Sequence, residues 1–429
     1  MKSPELLSPA GSLKHMRYAF AYGADAVYAG QPRYSLRVRN NEFSAEKLQQ
    51  GIEEAHSLGK KFFIASNLLP HDNKVKNYLR DMEPIIEMKP DAIIMADPGL
   101  IMLIREKWPD MSVHLSVQAN TLNSAAVKFW QSLGLTRVIL SRELSLDEVE
   151  KIRQQCPDME LEVFVHGALC IAFSGRCLLS GYFNHRDSNQ GACTNSCRWK
   201  YELHDAEETE TGDIAKTCSS QSEDAFLLEE KERPGELMPI EEDEHGTYIM
   251  NSKDLRAVQH VQRLTEMGID SLKIEGRTKS YFYAARTAQI YRQAIEDTLA
   301  GRDFNFELMQ SLDGLANRGY TEGFYRRHVP DEYQNYESGN SNNYTQRYAG
   351  EITAYDNETG MLDIEVKNKL TKGNNVELML PEGNHRFVLE YMEDRKGNPI
   401  DIAPGSGHQI KIKAPVELKT DYGLLIADE

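Results

Sequence analysis

The sequence predicts an α/β protein: a TIM-like (β/α)8 barrel with a long insertion between units seven and eight, followed by a small C-terminal antiparallel β-barrel. Three observations predict it. Short apolar runs alternate with segments of helical period over the first 170 residues. An eighth such unit returns only after residue 270. Beyond about Gln346 the pattern changes to short alternating runs joined by Gly, Asn and Pro turns. Strand followed by helix, repeated, builds a parallel sheet, because a crossover helix is what returns the chain for the next parallel strand. A doubly wound open sheet is the competing architecture, and eight units favour the barrel.

The strand runs are Glu5 to Ser8, Ala26 to Gly30, Phe62 to Ser66, Ala92 to Ala96, His114 to Val117, Val138 to Ser141 and Leu161 to His166. Helical spacing connects Leu79, Met82, Ile85 and Ile86, and again Val149 and Ile152. Ser145 and Glu148 stand at the spacing of a capping box, which satisfies two backbone donors at a helix start. The eighth strand is expected at Ser271 to Glu275, and its helix carries the stripe Tyr283, Thr287, Ile290, Tyr291, Ala294 and Ile295. The barrel then occupies residues 1–300, with a cysteine region at 167–199 and an acidic insertion at 202–245. Residues 301–345 form a connector and 346–429 the C-terminal domain.

Charge first argues against a nucleic-acid partner. Across 429 residues, 66 Asp and Glu outnumber 49 Lys and Arg, a formal net charge of -17, whereas phosphate binding rests on positive surface. The distribution weakens that objection. Residues 202–245 hold 16 acidic against three basic side chains, leaving only -4 on the other 385 residues. No apolar run approaches the roughly 20 residues of a membrane-spanning helix; the best, Ala92 to Ile104, is broken by Asp97 and Pro98. The start of the chain carries no apolar core of a secretory signal, so a cytoplasmic location away from membranes is expected. Six cysteines are too few for a disulfide scaffold at this length.

Four of those cysteines cluster. Cys170, Cys177, Cys193 and Cys197 follow the spacing C-x6-C-x15-C-x3-C, starting where the seventh strand ends. Barrel active sites lie on that face. Four thiolates in such a group hold an iron–sulfur cluster or a tetrahedral zinc ion, or remain unligated. Zinc sites usually show two close pairs, and here only Cys193 and Cys197 are close. Cys156 precedes Pro157 at a helix end and reads as structural, while Cys218 in the acidic insertion is a reserve ligand.

Other strand ends are polar. His114, Ser116, Gln118 and Asn120 alternate at the fifth, Arg142 and Glu143 follow the sixth, and Lys273, Glu275, Arg277 and Lys279 surround the eighth. Together they predict a cationic rim on the cysteine face, with Arg142, Arg176 and Arg277 as candidate clamps for a carboxylate or phosphate. Period two places Glu162, Phe164 and His166 on one face of the seventh strand. Glu162 and His166 are therefore candidate catalytic residues, the alternative being a buried, hydrogen-bonded pair. The signatures H-E-x-x-H, G-x-S-x-G and the Walker P-loop are missing, and no convincing dinucleotide fingerprint stands out. A Cys170–His166 nucleophilic pair is available, but it leaves three cysteines without a role.

The stretch Glu162 to Cys170 (EVFVHGALC), followed by Ser174 to Ser180 (SGRCLLS), resembles the collagenase-like peptidase family U32. The likeness extends over nearly the whole chain. The segments Gln190 to Tyr201, Glu242 to Leu255, Leu272 to Ser280 and Arg318 to Phe324 are most similar to the tRNA-hydroxylating branch of that family. The resemblance implies a barrel whose cysteines hold a four-iron four-sulfur cluster. It further implies oxygen-independent hydroxylation of the wobble uridine at C5, giving 5-hydroxyuridine, with prephenate as co-substrate. The implied partners are the anticodon loop of tRNA and the iron–sulfur assembly machinery. Cys170, Cys177 and Cys193 carry over as ligands. The fourth position varies within the family, and Cys197 fits it here, because Arg256 rather than cysteine follows Lys253, Asp254 and Leu255.

Two other readings remain at this point: a peptidase using Cys170 or a metal-bound water, and a hydroxylase of ribosomal RNA or of a quinone precursor. Basic and aromatic residues of the connector, Arg318, Tyr320, Phe324, Arg326, Arg327 and His328, suit phosphate contact and base stacking. A linker packed on the barrel is the other reading of the same stretch.

Overall fold

The computed structural model describes residues 1–36, 42–170, 172–177, 206–208, 214–216, 226–229, 237–243, 246–248, 253–317, 319–326, 346–415 and 421–428. Seven strands pair in parallel in chain order: β1 (Glu5–Pro9), β2 (Ala26–Gly30), β3 (Lys61–Ser66), β4 (Ala92–Met95), β5 (Val113–Leu115), β6 (Arg137–Ile139) and β7 (Glu160–Ala168). The closing strand Ser271–Ile274 pairs in parallel with both β1 and β7, which completes an eight-stranded ring. Every expected barrel strand is present. Their apolar runs are continuous because both faces are covered, one by the barrel interior and one by helices.

The helices start where short polar residues follow the strands. Ser12, Ser44, Asp97, Asn123, Ser145 and Ser280 each accept a bond from the backbone N–H three residues on, meeting donors that the helix itself leaves unpaired. The capping box at Ser145 and Glu148 forms as its spacing predicts. The 19-residue helix Tyr281–Leu299 buries the expected stripe against the barrel.

The barrel interior is filled rather than open. Glu162 is fully buried and pairs with Arg137 at 3.0 Å and Lys273 at 2.8 Å, while Arg137 also reaches Glu5 at 2.6 Å. Burial alone would depress the Arg137 guanidinium, but Glu162 and Glu5 outweigh it and raise its pKa. Burial lowers Lys273 despite its pairing with Glu162. Such a cluster is sustained by mutual compensation, since removing one partner leaves an unpaired charge inside.

After the long excursion the chain returns as Asp254–Arg256, antiparallel to β7, with Asp254 opposite Ala168 and Arg256 opposite His166. Tyr320–Thr321 adds a further strand in parallel. Within the acidic stretch the backbone forms short antiparallel strands, Ala206–Glu208 with Ile214–Lys216, and Leu237–Asp243 between Phe226–Glu229 and Gly246–Tyr248.

The C-terminal part is antiparallel, as its alternation predicts, and its seven-stranded sheet forms a half-barrel. Among the described residues its outer strands, His385–Val388 and Met392–Asp394, do not pair with each other. It has a core of its own around Leu362, Ile364, Leu378 and Ile412. Arg286 of the last barrel helix reaches Glu377 of the sheet at 2.7 Å, with both side chains buried. The Tyr22 hydroxyl donates to the carbonyls of Met379 and Tyr422. Among the described residues no helix is long and apolar enough to cross a membrane.

Candidate active site at the barrel mouth

The carboxyl ends of the strands gather the cysteine loop and its supports. Cys170 is exposed and Cys177 half-buried, and neither is disulfide-bonded. Both lie on the loop that leaves β7, and two conformationally special glycines shape it. Gly167 has φ +107°, and a Cβ there would stand 2.3 Å from the Glu275 carbonyl oxygen. Gly175 has φ +73° and packs against Gln118. Only glycine adopts these conformations without cost.

A belt of hydrogen bonds ties the loop to the rim. Arg277 donates to the Ser35 hydroxyl at 2.7 Å and to the Leu36 carbonyl at 2.9 Å. The Leu36 N–H donates to Asn67 Oδ1 at 3.2 Å, and Asn67 Nδ2 donates to Gln118 Oε1 at 3.2 Å. Asn120 Nδ2 then bonds the carbonyls of Gln118 and Ser174, at 2.8 and 3.1 Å. The belt therefore runs from the closing strand, past the ends of β2, β3 and β5, into the cysteine loop. Asn120 accepts a left-handed backbone, φ 52°, to reach it, a conformation asparagine tolerates better than most residues.

Arg142 holds the loop at its root. Its Nη1 donates to the Ala168 carbonyl, its Nη2 faces Glu275 at 3.4 Å, and its guanidinium lies 3.8 Å from the Phe164 ring centre. Of the three expected arginine clamps, Arg142 and Arg277 thus brace the rim, while Arg176 is exposed on the cysteine loop itself.

Glu162 and His166 do not meet at the mouth, which corrects the expectation drawn from period two. Lys273 stands opposite Phe164 but Ile274 opposite His166, so β7 carries one extra residue at this point. Such a bulge inverts the faces that follow it. Glu162 stays inside with Lys273, whereas the His166 ring lies among Tyr283, Tyr291 and Tyr320, on the side of the helices. His166 is 1% exposed, and burial drives its pKa down to about 3, so the imidazole is neutral at physiological pH. Burial likewise raises Tyr283 and Tyr291 well above the usual phenol value. Among the described residues no hydrogen bond joins His166 to Cys170; His166 Nδ1 instead meets the Tyr291 hydroxyl at 3.3 Å.

Cys193 and Cys197 lie outside the described residues, as do Cys218, Arg318, Arg327 and His328. Cys156 is buried at the end of helix Leu146–Gln155. In the connector, Tyr320 is a strand residue with Arg256 over its ring, Arg326 pairs with Glu322 at 2.7 Å, and the Tyr325 hydroxyl donates to the Phe164 carbonyl at 2.6 Å, so residues 319–326 pack on the barrel. Sequence reasoning missed Asn67 and the tyrosine cage. The one signal for Asn67 was its place directly after a strand end.

The two described thiols suit a multi-thiolate group. They share one loop, they are accessible, and the loop is anchored on both sides of the mouth. Thiolates are soft donors that favour iron–sulfur clusters or zinc over hard cations.

Residues 11–335 match Peptidase family U32 and residues 344–426 match the Peptidase family U32 C-terminal domain. The tRNA hydroxylation protein P of Escherichia coli (strain K12) is 59% identical, covering 99% of this chain and 97% of its own length. Its namesake in Haemophilus influenzae is 58% identical over 99% of this chain and 96% of its own. The 23S rRNA 5-hydroxycytidine C2501 synthase of Escherichia coli is 27% identical over 97% of this chain, which spans 59% of that longer protein. The chain belongs to peptidase family U32, on the branch whose members are named tRNA hydroxylation protein P.

Proposed function

We propose that this protein is an RNA hydroxylase whose substrate is tRNA, and that it hydroxylates the wobble uridine at C5 without molecular oxygen, using prephenate. The observation that carries the reading is end-to-end similarity to proteins named for tRNA hydroxylation, joined to a cysteine loop fixed at the face where barrel enzymes do chemistry. A relative named 23S rRNA 5-hydroxycytidine C2501 synthase supports the RNA class. We place the enzyme in the cytoplasm, where tRNA and the iron–sulfur assembly machinery are found.

Cys170, Cys177, Cys193 and Cys197 would hold a four-iron four-sulfur cluster. When bound, such a cluster supplies one-electron redox chemistry at the mouth. The chain's own residues do the rest. Arg142, Gln118 and Asn120 keep the loop in place, and Arg176, exposed on that loop, would meet the carboxylates of prephenate by charge-assisted hydrogen bonds. Glu162 keeps the interior charge-balanced, and neutral His166 packs the strand end.

The family description favours a peptidase as the second reading. Among the described residues Cys170 and His166 form no nucleophile–base pair, because His166 is caged by tyrosines while Cys170 is exposed. The deciding experiment incubates the purified, cluster-loaded protein anaerobically with prephenate and tRNA from a strain lacking the gene, and digests the RNA for nucleoside mass spectrometry. Appearance of 5-hydroxyuridine is expected. Its absence, with cleavage of gelatin by the same preparation, would select the peptidase.

A further inference from the structure

A cavity of about 250 Å³ opens between the barrel and the C-terminal half-barrel, outside the mouth described above. Phe282, Tyr283 and Tyr348 make its apolar wall, and Lys279, Gln346, Arg347 and Asn368 its polar side. The wall is rigid. The Phe282 and Tyr348 rings stack at 5.2 Å, and the Tyr348 hydroxyl bonds that of Tyr281 at 2.6 Å, which in turn reaches Glu351. The polar side is held from below, with Arg347 donating to the Lys369 carbonyl at 3.0 Å and Asn368 to the Tyr348 carbonyl at 2.8 Å.

Among the described residues the cations of this lining are Lys279 and Arg347, and its Gln346 amide donates to Asp428 at 3.1 Å. The cavity also adjoins the reaction face. Tyr283 lines it and donates its hydroxyl to the Glu275 carbonyl at 2.7 Å, and Glu275 faces Arg142 at the mouth. Gly276, with φ +153°, permits that approach, since a Cβ there would stand 2.5 Å from the Tyr283 ring.

An apolar aromatic wall beside amides and cations is the chemistry by which proteins hold an unpaired nucleotide: the base covers the wall, the amides meet its edge and the cations take the phosphate. The volume suits one nucleotide and excludes a duplex. We infer that this cavity is a second RNA subsite, which takes a nucleotide of the tRNA strand flanking the reacting uridine. The inference rests on the tRNA-hydroxylase reading and adds to it a specific contact away from the reacting base.

The test measures binding of unmodified tRNA to the full-length, cluster-loaded protein by fluorescence anisotropy at several salt concentrations, for wild type, Arg347→Ala and Asn368→Leu. For Arg347→Ala, Kd is expected to rise about fivefold at low salt, and the slope of log affinity against log salt to shrink by roughly 0.7, the value of one phosphate contact on a single strand. Asn368→Leu should raise Kd about threefold with the slope unchanged. Both variants should keep the wild-type iron content. Unchanged Kd and slope in both variants would overturn the subsite while leaving the hydroxylase reading intact. Wild-type protein that binds no tRNA would overturn that reading, and the subsite with it. Should Asn368→Leu weaken binding of uridine 5′-monophosphate but not of tRNA, the cavity serves a free nucleotide and the inference fails. Asn368 is exposed, so its variant keeps the test valid even where Arg347→Ala lowers the melting temperature.

Discussion

Arg142 Nη1 lies 2.7 Å from the Ala168 carbonyl oxygen, two residues before Cys170. A planar guanidinium can make this bond, face Glu275 and cover the Phe164 ring at once, and a lysine ammonium cannot. Arg142→Lys should therefore lose iron and hydroxylation together, by about tenfold or more, with little change in tRNA affinity. Iron content per chain and yield of 5-hydroxyuridine measure this. Full retention of both would remove the bond from any part in holding the loop.

Gly167→Ala tests the same loop from its backbone. A residue with a side chain in such a conformation costs on the order of 1–3 kcal/mol, and here it also meets the Glu275 carbonyl. The variant should melt several degrees lower and bind less iron. Calorimetry and iron analysis of the same sample would show whether the two effects travel together.

The buried imidazole of His166 predicts a pH dependence. Its pKa is about 3 in the folded protein against an ordinary value of 6.5. Below pH 6.5 the unfolded chain takes up a proton that the native state refuses, so stability falls with acidification until about pH 3. The slope contributed is about 1.4 kcal/mol per pH unit. In urea titrations between those limits, His166→Phe should show a shallower fall than wild type by about that amount. Parallel curves would mean that the imidazole titrates normally.

Arg286 and Glu377 fasten the barrel to the half-barrel. Burial would raise the Glu377 carboxyl, but Arg286 outweighs it and holds the pKa below the usual range. This contribution to stability is present above the ordinary carboxylate pKa and is lost as pH falls through the depressed one. Glu377→Ala strands a buried guanidinium whose Nε and Nη2 already lack hydrogen-bond partners, and should cost about 3–5 kcal/mol. The double change Arg286→Met with Glu377→Leu should recover most of the loss, as read by denaturant midpoints.

The barrel was legible because burial on both faces writes each parallel strand as a continuous apolar run and each helix start as a short polar residue. Val138 to Ser141 and Ser145 are both plain in that grammar. The turn of His166 away from Glu162 was not. Val165 adds one residue to β7 without altering its apolar character, so nothing in the composition announces the bulge. The belt through Asn67 was hidden for a different reason: its members are single polar residues from separate units, brought together by ring closure alone. In the C-terminal domain, alternation specified strands such as Met361–Val366, but whether a sheet closes depends on its edges, which no local pattern encodes.

The return strand has a consequence for how this barrel varies. Asp254 pairs with Ala168, so the chain that leaves the barrel at the end of β7 comes back beside the same strand, one strand spacing away, about 5 Å. Whatever lies between those two residues is a closed parenthesis in the barrel's grammar. Its length, charge and content can change without moving any of the eight strands. The segment that carries Cys170 and Cys177 is thus set on the ring as one insert, while Arg142, Lys273 and Glu275 belong to the part that stays fixed.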